Sequence, residues 1–155
     1  MSETKRIADQ LHRAYAGGAW HGPALRQLLA GMTAKQAAAR PLRRAHTIWE
    51  LVLHITAWKR AVLRRMQGKA LSLSPGENFP PMPRATTANW KKTLAALRAA
   101  QIDLHRTISA LPESRLKRIV PGKRYSLYFM LHGLVQHDLY HAGQIALLKK
   151  ARTKR

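Results

Sequence analysis

Leu131-His132-Gly133-Leu134-Val135-Gln136-His137-Asp138-Leu139-Tyr140-His141-Ala142-Gly143-Gln144 decides how the chain is read. His137 and His141 stand four positions apart, which on a helix stacks two side chains on one face about one turn from each other. Two imidazoles so placed can hold one metal ion. The same face carries Leu127, Leu134, Ile145 and Leu148, the apolar positions expected to point into a core. The pair is therefore predicted to lie in the buried seam, where an imidazole without a partner is costly. A metal would be one such partner. His132 lies nine positions before His141. At roughly 100° per residue it falls about half a turn away, toward solvent or another element.

Working outward, apolar spacing predicts an all-α chain. Residues 4–16 read as a short helix ended by Gly17-Gly18. Pro23 opens a second short helix to about Ala30, and Thr33 caps a brief turn through Ala39. Thr47 to Gln67 is a major helix with Ile48, Leu51, Ile55, Trp58 and Val62 on one stripe. Residues 71–83 hold Pro75, Gly76, Pro80, Pro81 and Pro83, so no regular structure is expected there. A connection of that length often covers a site or joins distant helix ends. A third long helix starts at Thr86 or Thr87 and stops at Pro112. Its seam runs Trp90, Leu94, Leu97, Leu104, Ile108, Leu111, with Gln101 the polar exception. The last helix opens at Tyr125 or Ser126 and runs to about Ala151. Four principal helices and few β signals predict an antiparallel four-helix bundle, one domain over residues 1–155 with a basic tail at 149–155.

The composition excludes some chemistry. The 155 residues contain no cysteine, so disulfides, cysteine zinc sites and a protein thiol nucleophile are out, and a reducing cytoplasm is expected. No stretch has the apolar length of a membrane span, and Met1 to Gln10 shows no signal-peptide pattern. The 28 Lys and Arg against 7 Asp and Glu give a net charge of +21. Nucleic acid is one partner such a charge attracts, but the basic residues are scattered in short clusters and form a dense run only in the tail.

Two histidines are short of a metal site, which ordinarily takes three protein ligands and one open position. His54, at mid-length of the second major helix beside its apolar stripe, is the best third candidate. His21, between Trp20 and Gly22-Pro23, could line a pocket, as could Trp20; Trp58 and Trp90 read as core. Glu50, one turn before His54, reads either as a base or ligand-orienting group or as a helix-end charge. Asp138 reads equally as a group behind the ligands or as a bundle hydrogen-bond acceptor. His137-Asp138-Leu139-Tyr140-His141 departs from the zinc-protease pattern, because Asp stands where that chemistry needs Glu.

At Ala19-Trp20-His21-Gly22-Pro23, His46 to Trp58 and His137 to Gln144 the chain resembles the DinB-like superfamily of small four-helix proteins. The resemblance implies a metal triad of His54, His137 and His141 binding one divalent ion, zinc or nickel, and a homodimer. It also implies kinship with metal-dependent thiol S-transferases and a thiol-dependent isomerase. The expected chemistry is then activation of a low-molecular-weight thiol toward an electrophilic substrate, with basic side chains such as Arg60 drawing in an anionic thiol. A metal-dependent hydrolase and a non-enzymatic nucleic-acid-associated protein are the alternatives.

Overall fold

The structure, a computed structural model, describes residues 1–152. It is all-helical, with helices α1 Glu3–Ala16, α2 Leu25–Leu29, α3 Ala34–Ala38, α4 Ile48–Met66, α5 Pro75–Asn78, α6 Thr87–Ser109 and α7 Leu127–Arg152, and a 3-10 turn at Glu113–Lys117. The helix starts follow cap chemistry. Thr33, Thr47, Ser74 and Thr86 each accept a backbone N–H three residues on through the side-chain oxygen, which satisfies a donor the helix cannot. Ser126 does the same for Phe129 ahead of α7.

The 71–83 segment corrects the expectation of no regular structure. Pro75–Asn78 forms one helical turn. Pro75 stands at its first position, where a missing N–H costs nothing, and Ser74 and Glu77 form a reciprocal capping box.

The four long helices pack as a ring: α4 contacts α6 and α7, and α1 contacts the same two. Their apolar faces make two clusters. One joins α2, α3 and the first half of α4 to Trp90, Leu97, Ala142, Ile145 and Leu148. The other joins α1 to Val62, Met66, Leu104, Ile108 and the start of α7 from Leu127 to Leu134. Between them, at matching levels, each of three helices carries a buried polar residue: Lys59 on α4, Gln101 on α6 and Asp138 on α7. Lys59 donates to the Asp138 carboxylate and, at 2.8 Å, to Gln101 Oε1. Gln101 Nε2 reaches back to the Leu11 carbonyl at 3.3 Å, bringing in α1. The polar exception in the α6 seam is thus the acceptor of a buried ammonium. No helix among the described residues is long and apolar enough to cross a membrane. The basic tail is described only in part: Lys149 donates to the Leu28 carbonyl at 2.5 Å, and residues 153–155 lie outside the described residues.

Candidate metal centre

Beside the polar layer, α4 and α7 bring three imidazoles together. His54 from α4 meets His137 and His141 from α7, with one ligand-capable nitrogen of each lying within 4.8 Å of the others. His54 Nε2 and His137 Nε2 are 3.0 Å apart. The rings of His54 and His141 stand edge to face at 4.6 Å, as do those of His137 and His141 at 4.4 Å.

Two of the rings are oriented from outside the cluster. His54 Nδ1–H donates to the Asn78 carbonyl at 2.7 Å, and His141 Nδ1–H to Gln144 Oε1 at 2.6 Å. With Nδ1 protonated, each ring keeps a lone pair on Nε2, the arrangement that supporting groups impose on metal-binding histidines. His137 Nδ1 is buried without a partner. Hydrogen bonding inside the chain therefore leaves His137 unfinished, with Nε2 turned to His54 and Nδ1 unpaired.

The charge state agrees. Burial, reinforced by the neighbouring His141 and His54, pushes His137 down to about 3. Burial is also the main reason that His54 and His141 sit below the ordinary histidine range. All three are neutral near pH 7, which is the form that binds a metal. A set of three imidazole nitrogens suits zinc, nickel, copper or iron better than magnesium or calcium. The residues fit a divalent transition-metal ion.

The segment after α4 covers this cluster. Phe79, at the end of α5, stacks flat on His54, with centroids 4.1 Å apart and planes 12° from parallel. His46 stacks on the other side of Phe79 at 4.0 Å. Trp58 Nε1 donates to Asn78 Oδ1 at 2.8 Å. Asn78 thus fixes His54 through its backbone and Trp58 through its side chain. Trp58, expected in the core, is half-buried and walls a cavity of about 220 Å3 shared with Val62, Arg65, Phe129, Leu134 and His137. Trp90 is core, as expected, 3% exposed and donating to the Met32 carbonyl.

The remaining candidates lie elsewhere. Trp20 is fully exposed. With His21 it borders a recess of about 150 Å3 beside Gln10, Arg13, Val135 and Leu139, which includes none of the three clustered histidines. The 17–24 connection turns outward there, so neither residue meets the metal centre. Glu50 is at the start of α4. One oxygen accepts the Thr47 N–H at 2.7 Å and the other the Arg40 guanidinium at 2.8 Å. Burial pushes its carboxyl up, but the Thr47 N–H and Arg40 outweigh this and hold it below the ordinary value. A carboxylate so engaged is a weak base. His132 is across α7, 3.3 Å from Glu3.

Sequence reasoning missed Asn78, Phe79 and Arg65. The Ser74-Pro75-Gly76-Glu77 capping box was the one available signal that the loop is built rather than loose. A family model described as the DinB superfamily matches residues 18–145. No curated protein and no solved structure matches the chain.

Proposed function

Since the chain belongs to the DinB superfamily, we propose that it is a divalent-metal-dependent transferase that activates a low-molecular-weight thiol, with zinc or nickel at His54, His137 and His141, on an antiparallel four-helix frame. The observation that carries the reading is a cluster of three neutral imidazoles, each supported differently, at the edge of an apolar cavity. When bound, the ion supplies Lewis acidity that lowers the pKa of a thiol or water in its open position.

The chain's own residues do the rest. Asn78 and Gln144 hold two rings with Nε2 free, so the donor set is arranged before any ligand arrives. Trp58, Val62, Leu134 and Phe129 put apolar surface beside His137, which lowers the local dielectric and strengthens electrostatic interactions there. The chain brings no sulfur nucleophile of its own, so a cosubstrate must. The hydrolase alternative needs a base for water, and Glu50 is engaged by Thr47 and Arg40. The reading extends to a homodimer, for which the exposed Tyr140 and Leu147, seven residues apart on α7, offer a face; light scattering across a concentration series tests it.

The decisive test is metal content by mass spectrometry on untagged protein, followed by a screen of small thiols against electrophiles. About one ion per chain is expected in the wild type, by the logic of a three-ligand site. His54→Ala should lose the ion and the turnover yet still bind polyanions through the basic surface. An absence of retained metal after reconstitution would sink the reading and bring forward the nucleic-acid alternative, whose binding weakens steeply with salt.

A further inference from the structure

Gly133 stands inside α7 with no conformational reason to be glycine. It is absent from the positive-φ glycines, and a Cβ built on it would meet nothing within 4 Å. A glycine within a helix weakens it relative to alanine. No neighbouring helix is pressed against this one. What Gly133 borders is the cavity of about 220 Å3 that His137 also lines. A side chain at 133 would intrude on that space.

Arg65, on the opposite wall, is 3% exposed and has no carboxylate partner among the described residues. Its guanidinium donates to the Leu71 carbonyl at 3.0 and 3.3 Å and to the Tyr125 hydroxyl at 3.1 Å, and lies 5.4 Å from the Trp58 ring centroid. Tyr125 is brought there by the turn at 118–127, closed by Val120 N–H to Tyr125 carbonyl and Leu127 N–H to Arg118 carbonyl bonds. Three of the five guanidinium N–H groups are used, so two remain. A cation taken out of water without a counter-charge is costly. Among the described residues Lys59 and Arg65 are the buried lysine and arginine side chains; Lys59 has Asp138, whereas Arg65 lies on the wall of the cavity.

We propose that this cavity binds a small organic carboxylate: the acid group on Arg65, the apolar body between Trp58, Val62 and Leu134 above Gly133, and the far end toward His137. The proposal rests on the reading of the histidine cluster as a metal-bearing active site, and makes the carboxylate part of the substrate acted on there. The volume is below the about 300–1,000 Å3 of drug-sized sites, so the acid is small. Carboxylate is favoured over a phosphate ester because one guanidinium balances one negative charge, whereas a phosphate monoester carries about −1.5 to −2 at pH 7.

The test compares 3-phenylpropionate with its neutral isostere 3-phenylpropionamide, titrated into zinc-loaded and zinc-free full-length protein at 0.15 M salt and followed by calorimetry. In both forms the acid should bind at least tenfold tighter than the amide. Arg65→Gln should equalise the two. Gly133→Leu should weaken both at least tenfold, with zinc content unchanged; it enters open space, so it keeps the test alive if Arg65→Gln fails to fold. Equal binding of acid and amide by the wild type overturns the proposal, as does unaltered binding in Gly133→Leu. A preference that vanishes on removing zinc puts the carboxylate on the ion and also overturns it. If the wild type holds no zinc but keeps an Arg65-dependent preference, the subsite stands and the metal reading falls.

Discussion

Helices α4 and α7 carry two buried polar clusters within about one helical turn of each other, and they are built on opposite principles. Lys59 and Asp138 are both wholly buried and opposite in charge, with Gln101 Oε1 the ammonium's second acceptor. Burial pushes the Asp138 carboxyl up, against the pull of the Lys59 ammonium. His54, His137 and His141 are kept uncharged, short of internal partners, and open on one side to a cavity. The first cluster pairs opposite charges between two apolar cores, with Asp138 Oδ1 left unpaired, and lies away from the cavity that His137 lines. The second opens onto that cavity. A buried polar group signals function when it borders space a ligand can enter, and signals architecture when only the chain surrounds it.

The harshest way to break this contrast is Lys59→Met. It strands the Asp138 carboxylate and should cost about 3–5 kcal/mol in denaturant unfolding, the range for an orphaned buried charge. Lys59→Met with Asp138→Leu should recover most of that loss and keep wild-type metal content, since the pair supports the bundle and not the ion.

The histidine cluster responds to ligand instead. Zinc at a hundredfold excess over its dissociation constant should stabilise the wild type by about 2.7 kcal/mol, read as a shift in thermal midpoint. His137→Ala should abolish the shift, while the Lys59→Met and Asp138→Leu double variant should retain it.

Acid gives a third probe. His137 has a folded value near 3 against an ordinary 6.5, so below 6.5 the unfolded chain takes up a proton that the folded chain resists. In metal-free protein this contribution is complete above pH 6.5 and is lost as pH falls toward 3. His137→Leu should show a shallower decline over that window in urea melts at successive pH values.

Smaller effects separate ligand support from helix capping. Gln144→Leu should weaken metal binding about 10- to 100-fold, as loss of a ligand's hydrogen-bond partner does, in a competition assay with a chromogenic chelator. Glu50→Ala should leave metal affinity unchanged and cost about 0.5–1 kcal/mol of stability through the lost cap and first-turn charge.

The histidine cluster was legible because its members obey helix periodicity. His137 and His141 share a face with Leu127, Leu134, Ile145 and Leu148, all of which are buried, and His54 lies beside the apolar stripe of its own helix. The all-helical class followed from the same spacing. What periodicity cannot reach is pairing between helices. Lys59 reads as one more surface cation until α7 places Asp138 against it, and Gln101 reads as a flaw in a seam until Lys59 donates to it. The same limit misplaced Trp58. Trp58 sits on an apolar stripe yet walls the cavity, because the 71–83 segment folds over it. Trp20 and His21 border a recess of their own, exposed and apart from the three histidines.

The contact between His54 Nδ1 and the Asn78 carbonyl bears on how this site would look in a mutational scan. Every substitution at position 78 keeps that carbonyl. A scan would register position 78 only through the lost hydrogen bond from Trp58 to the Asn78 side chain and would score the residue as mildly tolerant. The orienting group of one proposed ligand would stay invisible to any catalogue of side-chain replacements. It would surface only in changes to the path of the chain, such as a deletion between Ser74 and Phe79 or an ester in place of the following amide.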